Sequence, residues 1–163
     1  TFPETAPLID KDVGRILGLD GDAKMSKSLN NTVPILSESD EVWSRVRTAV
    51  TDPQRIRKTD PGRPEVCNVF TLHGFCTGEA TRADIDTKCR AGHIGCVDCK
   101  RILSDNIADA FAPFRERAAE YKANHDLVRQ ILDDGAKRAR LIAQDTMSEV
   151  RERMGLDWRS SVG

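Results

Sequence analysis

A chain of 163 residues has enough material for one good core or two small units. Its 25 basic and 26 acidic residues leave a net charge of −1, so bulk electrostatics do not mark it as a nucleic-acid binder, and any RNA contact must come from local patches. Its apolar runs are far too short to span a membrane and no charged-then-apolar leader is present, which reads as a soluble, cytoplasmic protein.

The first residue is Thr1 rather than methionine, which reads as a piece of a longer protein. Residues 1–37 carry no long periodic segment. Gly14, Gly18 and Gly21 punctuate them, with breaks at Pro3, Pro7 and Pro34. Within them stands Lys24-Met25-Ser26-Lys27-Ser28, entered through Gly21 and followed by Leu29-Asn30-Asn31-Thr32. Two lysines among small hydroxyl residues make a mobile cationic loop suited to a polyphosphate. Lysine is a compact point charge that follows moving oxygens, and charge placed where it develops lowers a barrier most. The bland alternative is solvated surface. No Gly-rich P-loop competes for the phosphate role. Val33-Pro34-Ile35-Leu36 is a short apolar run able to close a small core.

A helix follows, capped by Ser37 or Ser39 and carrying Glu38, Asp40 and Glu41 where the helix dipole favours acids. Val42, Val46 and Ala49/Val50 recur at helical spacing, and Thr51-Asp52-Pro53 ends the pattern. Residues 54–66 form a basic irregular linker with Arg55, Arg57, Lys58 and Arg63, either solvated or in contact with RNA. A long helical pattern begins near Val97, with Leu103, Ile107, Phe111, Phe114 and Tyr121, and Pro113 should kink or break it. The last helix spans about Asp126 to Met154. Its stripe of Val128, Ile131/Leu132, Ala139, Ile142, Met147 and Val150 reads as core, with Gly135 allowing close helix packing. Residues 156–163 read as a frayed tail holding Trp158.

Five cysteines fall between 67 and 99 in a chain of cytosolic character, so metal binding outranks disulfides. Four follow the order Cys67-x21-Cys89-x6-Cys96-x2-Cys99. The C-x-x-C turn brings two thiolates to one centre, and four thiolates suit either Zn²⁺ or an iron–sulfur cluster. Cys76 is an alternative fourth ligand, and His93 could replace a cysteine at a zinc site. His73 and His125 have no companions in sequence and read as surface or satisfied core residues.

The lysine pentapeptide resembles the second signature of class I aminoacyl-tRNA synthetases, and its Gly18-Leu19-Asp20-Gly21 lead and Asn30-Asn31-Thr32 tail resemble the tryptophanyl branch. The cysteine order, with Thr51-Asp52-Pro53, Thr59-Asp60-Pro61-Gly62 and Ile94-Gly95-Cys96-Val97-Asp98-Cys99-Lys100, is similar to a bacterial subgroup with a four-cysteine [4Fe–4S] site. The first gap is one residue shorter than in that subgroup, but Cys67 keeps its Pro-Glu-x-Cys context. His93-Ile94-Gly95 resembles the other class I signature only superficially. Its fourth residue is Cys96, and it lies after the lysine loop rather than before it.

The resemblance, covering about residues 7 to 155, implies a mostly α chain: the end of a Rossmann-type α/β catalytic domain at 1–37, a helical anticodon-binding domain at 38–155 and a tail at 156–163. It implies a homodimeric parent that activates L-tryptophan with ATP and Mg²⁺ and transfers it to tRNA(Trp), with no DNA or membrane partner. Lys24 and Lys27 would stabilise leaving pyrophosphate, Met25, Ser26 and Ser28 would complete the ATP loop, and Cys67, Cys89, Cys96 and Cys99 would hold the cluster or Zn²⁺. Asp52, Arg55 and Arg57 are the expected tRNA contacts, Asp52 as a reader of cytosine. Lacking the amino-acid pocket, this stretch alone should be silent. The rivals are a tyrosyl-type or other class I synthetase, a non-catalytic tRNA-binding iron–sulfur paralogue, and an iron–sulfur sensor.

Overall fold

A computed structural model describes residues 2–9 and 14–156, and Trp158 lies outside them. The described residues form five α-helices and two 3-10 turns, with no strand among them. An isolated antiparallel bridge joins Leu17 and Lys24. The helices are α1 (Ser39–Val46), α2 (Asn68–Cys76), α3 (Glu79–Arg90), α4 (Cys96–Ala123) and α5 (His125–Arg153). The 3-10 turns are Lys27–Leu29 and Pro64–Val66. The chain divides into two compact units, Asp10–Ala118 and Thr1–Ile9 with Ala119–Gly163, the division falling inside α4.

The larger unit is built around one apolar core. Val42 and Val46 of α1 and Ala49 just beyond it are buried, as their helical spacing predicts. They join Leu19, Val69, Leu72, Ile85, Ile94, Leu103 and Ile107, and Cys67 and Cys99 are buried in the same cluster. Ile16, Met25 and Val33 pack against it, so the segment carrying the lysine loop shares a core with α1, α2 and α4. Val33 does help to close this core, but Ile35 and Leu36 stay exposed.

Several local expectations are corrected. The N-cap of α1 is Glu38, and no side chain caps the helix: Ser39 is already its first helical residue, and the Ser37 hydroxyl is buried without a partner. Helix α1 stops at Val46, before Thr51-Asp52-Pro53. Two helices, α2 and α3, occupy the cysteine-rich stretch, where metal-ligand spacing masked their apolar pattern. Pro113 does not break α4, which runs through it. Arg115 donates to the Ala108 carbonyl at 2.9 Å one turn before the proline.

In the smaller unit, Asn124 caps α5 by accepting from the Leu127 amide at 3.0 Å. Its apolar stripe is not core here. No described residue of α5 is buried, and Ile131, Leu132, Ile142 and Met147 are exposed. Nothing lies within 4 Å of the position a Cβ would take at Gly135, so that glycine allows no close packing in this structure.

Candidate functional site

The lysine loop is framed by backbone pairs across its base. The Met25 amide donates to the Ile16 carbonyl at 2.9 Å, and the Gly18 amide to the Ala23 carbonyl at 2.9 Å. Lys24, Lys27 and Ser28 are exposed, Met25 packs inward, and the Ser26 and Ser28 hydroxyls lie 2.8 Å apart. Two cationic side chains therefore face solvent from a short turn whose backbone is held.

The organiser is Asn31, 5% exposed, which drew no functional weight from the sequence. Its side-chain oxygen accepts from the Ser26 amide at 2.8 Å, and its nitrogen donates to Asp20 at 2.7 Å and to the Lys24 carbonyl at 3.3 Å. The Asn31 bond, followed by that of the Asp22 amide, holds the Asp20 carboxyl below its usual range. Gly18 makes room for this residue: a Cβ there would stand 2.1 Å from Asn31 Nδ2.

The helices grip the same segment. Asn68, at the first turn of α2, donates to the Gly18 carbonyl at 2.8 Å in a buried setting. The Val50 amide donates to Leu19 at 2.9 Å, and Arg45 of α1 donates to Asn30 and to the Thr32 carbonyl, each at 3.1 Å.

The second constellation is sulfur-rich. Burial pushes the Cys99 thiol up to about 12, and thiolate charge at Cys67, Cys89 and Cys96 pushes in the same direction, with Arg55 opposing. All four thiols thus share one electrostatic neighbourhood. Among the described residues no three His, Cys, Asp or Glu side chains already stand at metal-holding spacing. Arg55 Nη1 lies 3.5 Å from Cys89 Sγ and 3.8 Å from Cys96 Sγ, while Nη2 donates to the Ile94 and Lys58 carbonyls. Gly62 is required beside it, since a Cβ would come within 2.5 Å of Cys89 Sγ.

Cys76 sits elsewhere. Cys67 precedes α2 and Cys76 ends it, a rise of about 13 Å at 1.5 Å per residue. Burial alone raises the Cys76 thiol, with no part played by the other four. It lines an apolar cavity with Met25, Val33, Leu72 and Phe111. His93 is exposed, whereas His73 is wholly buried against Cys99, and desolvation lowers its imidazole below the ordinary range. One sequence signal could have found it: His73 lies six residues after Cys67, near two helical turns, on the helix that begins at that cysteine.

In the basic linker, Asp52 is 4% exposed. Its oxygens accept from Arg63 Nη2 at 2.6 Å, Nε at 3.1 Å and the backbone amide at 3.0 Å, and from the Gln54 amide at 3.0 Å. The Arg63 guanidinium, more than the amides, holds this carboxyl far below the usual carboxylate range. Arg57 and Ile56 are exposed and, with Thr51, Lys58, Cys96 and Val97, line a groove beside the cysteines. Lys58 pairs with Asp98 at 3.0 Å in an exposed contact that contributes little to stability.

Residues 1–112 match the model of the family described as tRNA synthetases class I (W and Y). The chain belongs to that family. Over 95% of its length it is 41% identical to the tryptophan–tRNA ligase of Deinococcus radiodurans and 44% identical to that of Aquifex aeolicus. It spans only 47% and 39% of those relatives, respectively. Among solved structures it resembles the tryptophanyl-tRNA synthetase of Campylobacter jejuni complexed with ADP and tryptophan, with a TM-score of 0.78 and 31% identity. That likeness covers 91% of this chain and 46% of the other. The helical architecture is therefore that of a class I synthetase portion.

Proposed function

We propose that this chain is the C-terminal portion of a tryptophan–tRNA ligase, which activates L-tryptophan with ATP and Mg²⁺ and transfers it to tRNA(Trp). The observation that carries this reading is identity of 41–44% to ligases of that name along 95% of the chain. The complete lysine signature lies inside the matching stretch. Residues 1–37 are read as the end of a Rossmann-type catalytic domain, 38–155 as the helical anticodon-binding domain and 156–163 as a tail.

In activation, a tryptophan carboxylate oxygen attacks the α-phosphorus of ATP, and the bond to pyrophosphate breaks. Negative charge accumulates on the departing oxygens. Lys24 and Lys27 meet it there, with Ser26 and Ser28 as hydrogen-bond donors, and Asn31 keeps the turn in register. A preorganised charge costs no reorganisation during the step, and the Asn31 bonds to Ser26 and Asp20 support that role.

Cys67, Cys89, Cys96 and Cys99 are read as the ligands of a [4Fe–4S] cluster, with Zn²⁺ as the alternative. The shared electrostatic neighbourhood of these thiols, the separate placement of Cys76 and the Arg55 donors at two sulfurs support that set. Thiolates are the ligands such a group takes, and a nearby guanidinium favours them. The groove beside Cys96 is read as a contact for the anticodon arm, with Arg57 as a phosphate partner. Asp52 and Arg55 are assigned to shaping that loop, since both are already bonded within it. The test is amino-acid-dependent exchange of pyrophosphate into ATP by the complete ligase. L-tryptophan should support exchange. Exchange with L-tyrosine instead would place the chain in the other branch.

A further inference from the structure

Helix α2 presents His73 to the sulfur site through a chain of hydrogen bonds that fixes its tautomer. Asn106 Nδ2 of α4 donates to Thr77 Oγ1 at 2.9 Å. Thr77 Oγ1 in turn lies 2.7 Å from His73 Nδ1. On the far side of the ring, Nε2 lies 3.3 Å from the Cys99 carbonyl oxygen and 3.4 Å from Cys99 Sγ. A carbonyl oxygen only accepts, so Nε2 must carry the proton. Nδ1 then accepts from the Thr77 hydroxyl, whose oxygen is taken up by Asn106. Each member of the chain has the one role that satisfies its neighbours, and the Nε2–H is shared between the Cys99 carbonyl and sulfur.

We infer that His73 is a positioning residue that donates an N–H···S hydrogen bond to the Cys99 ligand, and so sets the metal group's reduction potential and retention. The inference rests on the cysteine-site reading above. It gives a purpose to a polar ring in the core, where any apolar side chain of that size would pack without needing three partners. It also makes the sulfur site asymmetric. Cys89 and Cys96 meet the Arg55 guanidinium from the linker, whereas Cys99 meets a neutral donor from α2. Hydrogen bonds to ligating sulfur draw negative charge from it, which favours the more reduced and more negative form of a bound cluster.

The experiment uses this chain, loaded anaerobically with iron and sulfide, as wild type, His73→Phe and His73→Gln. Iron and acid-labile sulfide are assayed first, then the reduction potential by voltammetry and iron loss to a chelator. In His73→Phe the potential should move to more negative values, and the hold on metal should weaken about ten- to 100-fold. His73→Gln, whose amide nitrogen can take the place of Nε2, should stay close to wild type. Should His73→Phe fail to fold, Thr77→Val frees the ring to take the other tautomer and should shift the potential in the same direction. A loaded cluster with the same potential and the same chelator loss in all variants overturns the inference and leaves the cysteine reading standing. A wild-type chain that takes up no iron and sulfide overturns the cluster reading, and the inference falls with it.

Discussion

The side-chain amide of Asn68 donates to the Gly18 carbonyl at 2.8 Å, joining the start of α2 to the entry of the lysine loop. Asn31 occupies the space left by the missing Gly18 side chain, and it holds Ser26. Asn68→Ala removes one of the two donors of the Gly18 carbonyl, the Gly21 amide remaining at 2.9 Å, and should cost roughly 1 kcal/mol. Gly18→Ala forces the Asn31 amide out of place and should cost roughly 1–3 kcal/mol. Denaturant unfolding of this chain measures both. Losses below a few tenths of a kcal/mol would show that the loop is not anchored in this way.

Asp52 should make stability depend on acid pH. Its carboxyl is held low by Arg63, so its contribution is complete above the ordinary aspartate pKa and is lost as pH falls through the lowered one. Wild-type stability should therefore fall steadily below about pH 4. Asp52→Asn should be less stable at neutral pH by roughly 1–3 kcal/mol, and it should show a shallower acid slope. Parallel slopes for the two proteins would remove Asp52 from the account.

The cysteines should separate cleanly on substitution. Cys96→Ser should lose the bound metal group and loosen the 67–99 stretch, because binding and local folding are coupled. Cys76→Ser should keep the metal content, since that thiol lies at the other end of α2 among apolar side chains. Metal and sulfide analysis with thermal unfolding reads both. Metal loss in Cys76→Ser would exchange the fourth ligand.

Arg57 is exposed at the groove beside Cys96. If it meets a phosphate, Arg57→Ala should weaken tRNA binding about equally for cognate and anticodon-altered tRNA. It should also reduce the slope of log K against log salt by about 1. Filter binding across a salt series distinguishes this from base reading, which would change preference rather than slope.

Much of this was legible in the residues, and the exceptions have physical causes. The lysine pentapeptide and the four-cysteine order stand out in the sequence by residue type and spacing, and their phosphate and metal roles are proposals. The buried faces of α1 and α4, through Val42, Val46, Leu103 and Ile107, follow from helical periodicity. Asn68 was illegible because it meets Gly18 50 positions away, and His73, whose spacing from Cys67 is its one sequence signal, meets Cys99 26 positions away; Asn31 acts on Ser26 and Asp20, 5 and 11 positions away, in a turn with no periodic pattern. Asp52 looked like a free acceptor because nothing local shows that Arg63 folds back onto it. The α5 stripe shows the opposite failure: periodicity marks an apolar face, but it cannot say whether that face finds a partner.

In the proposed function the lysine loop stabilises the departing pyrophosphate. The most direct measurement is pre-steady-state formation of tryptophanyl adenylate by the complete ligase, wild type against Lys27→Ala, with tryptophan affinity measured alongside. The rate should fall about 100- to 1,000-fold, as when one preorganised electrostatic contact is lost at a site of developing charge. Tryptophan affinity should hardly change, and the stability of this chain should stay within about 0.5 kcal/mol, because Lys27 is exposed. An unchanged activation rate with weakened tryptophan binding would contradict the account.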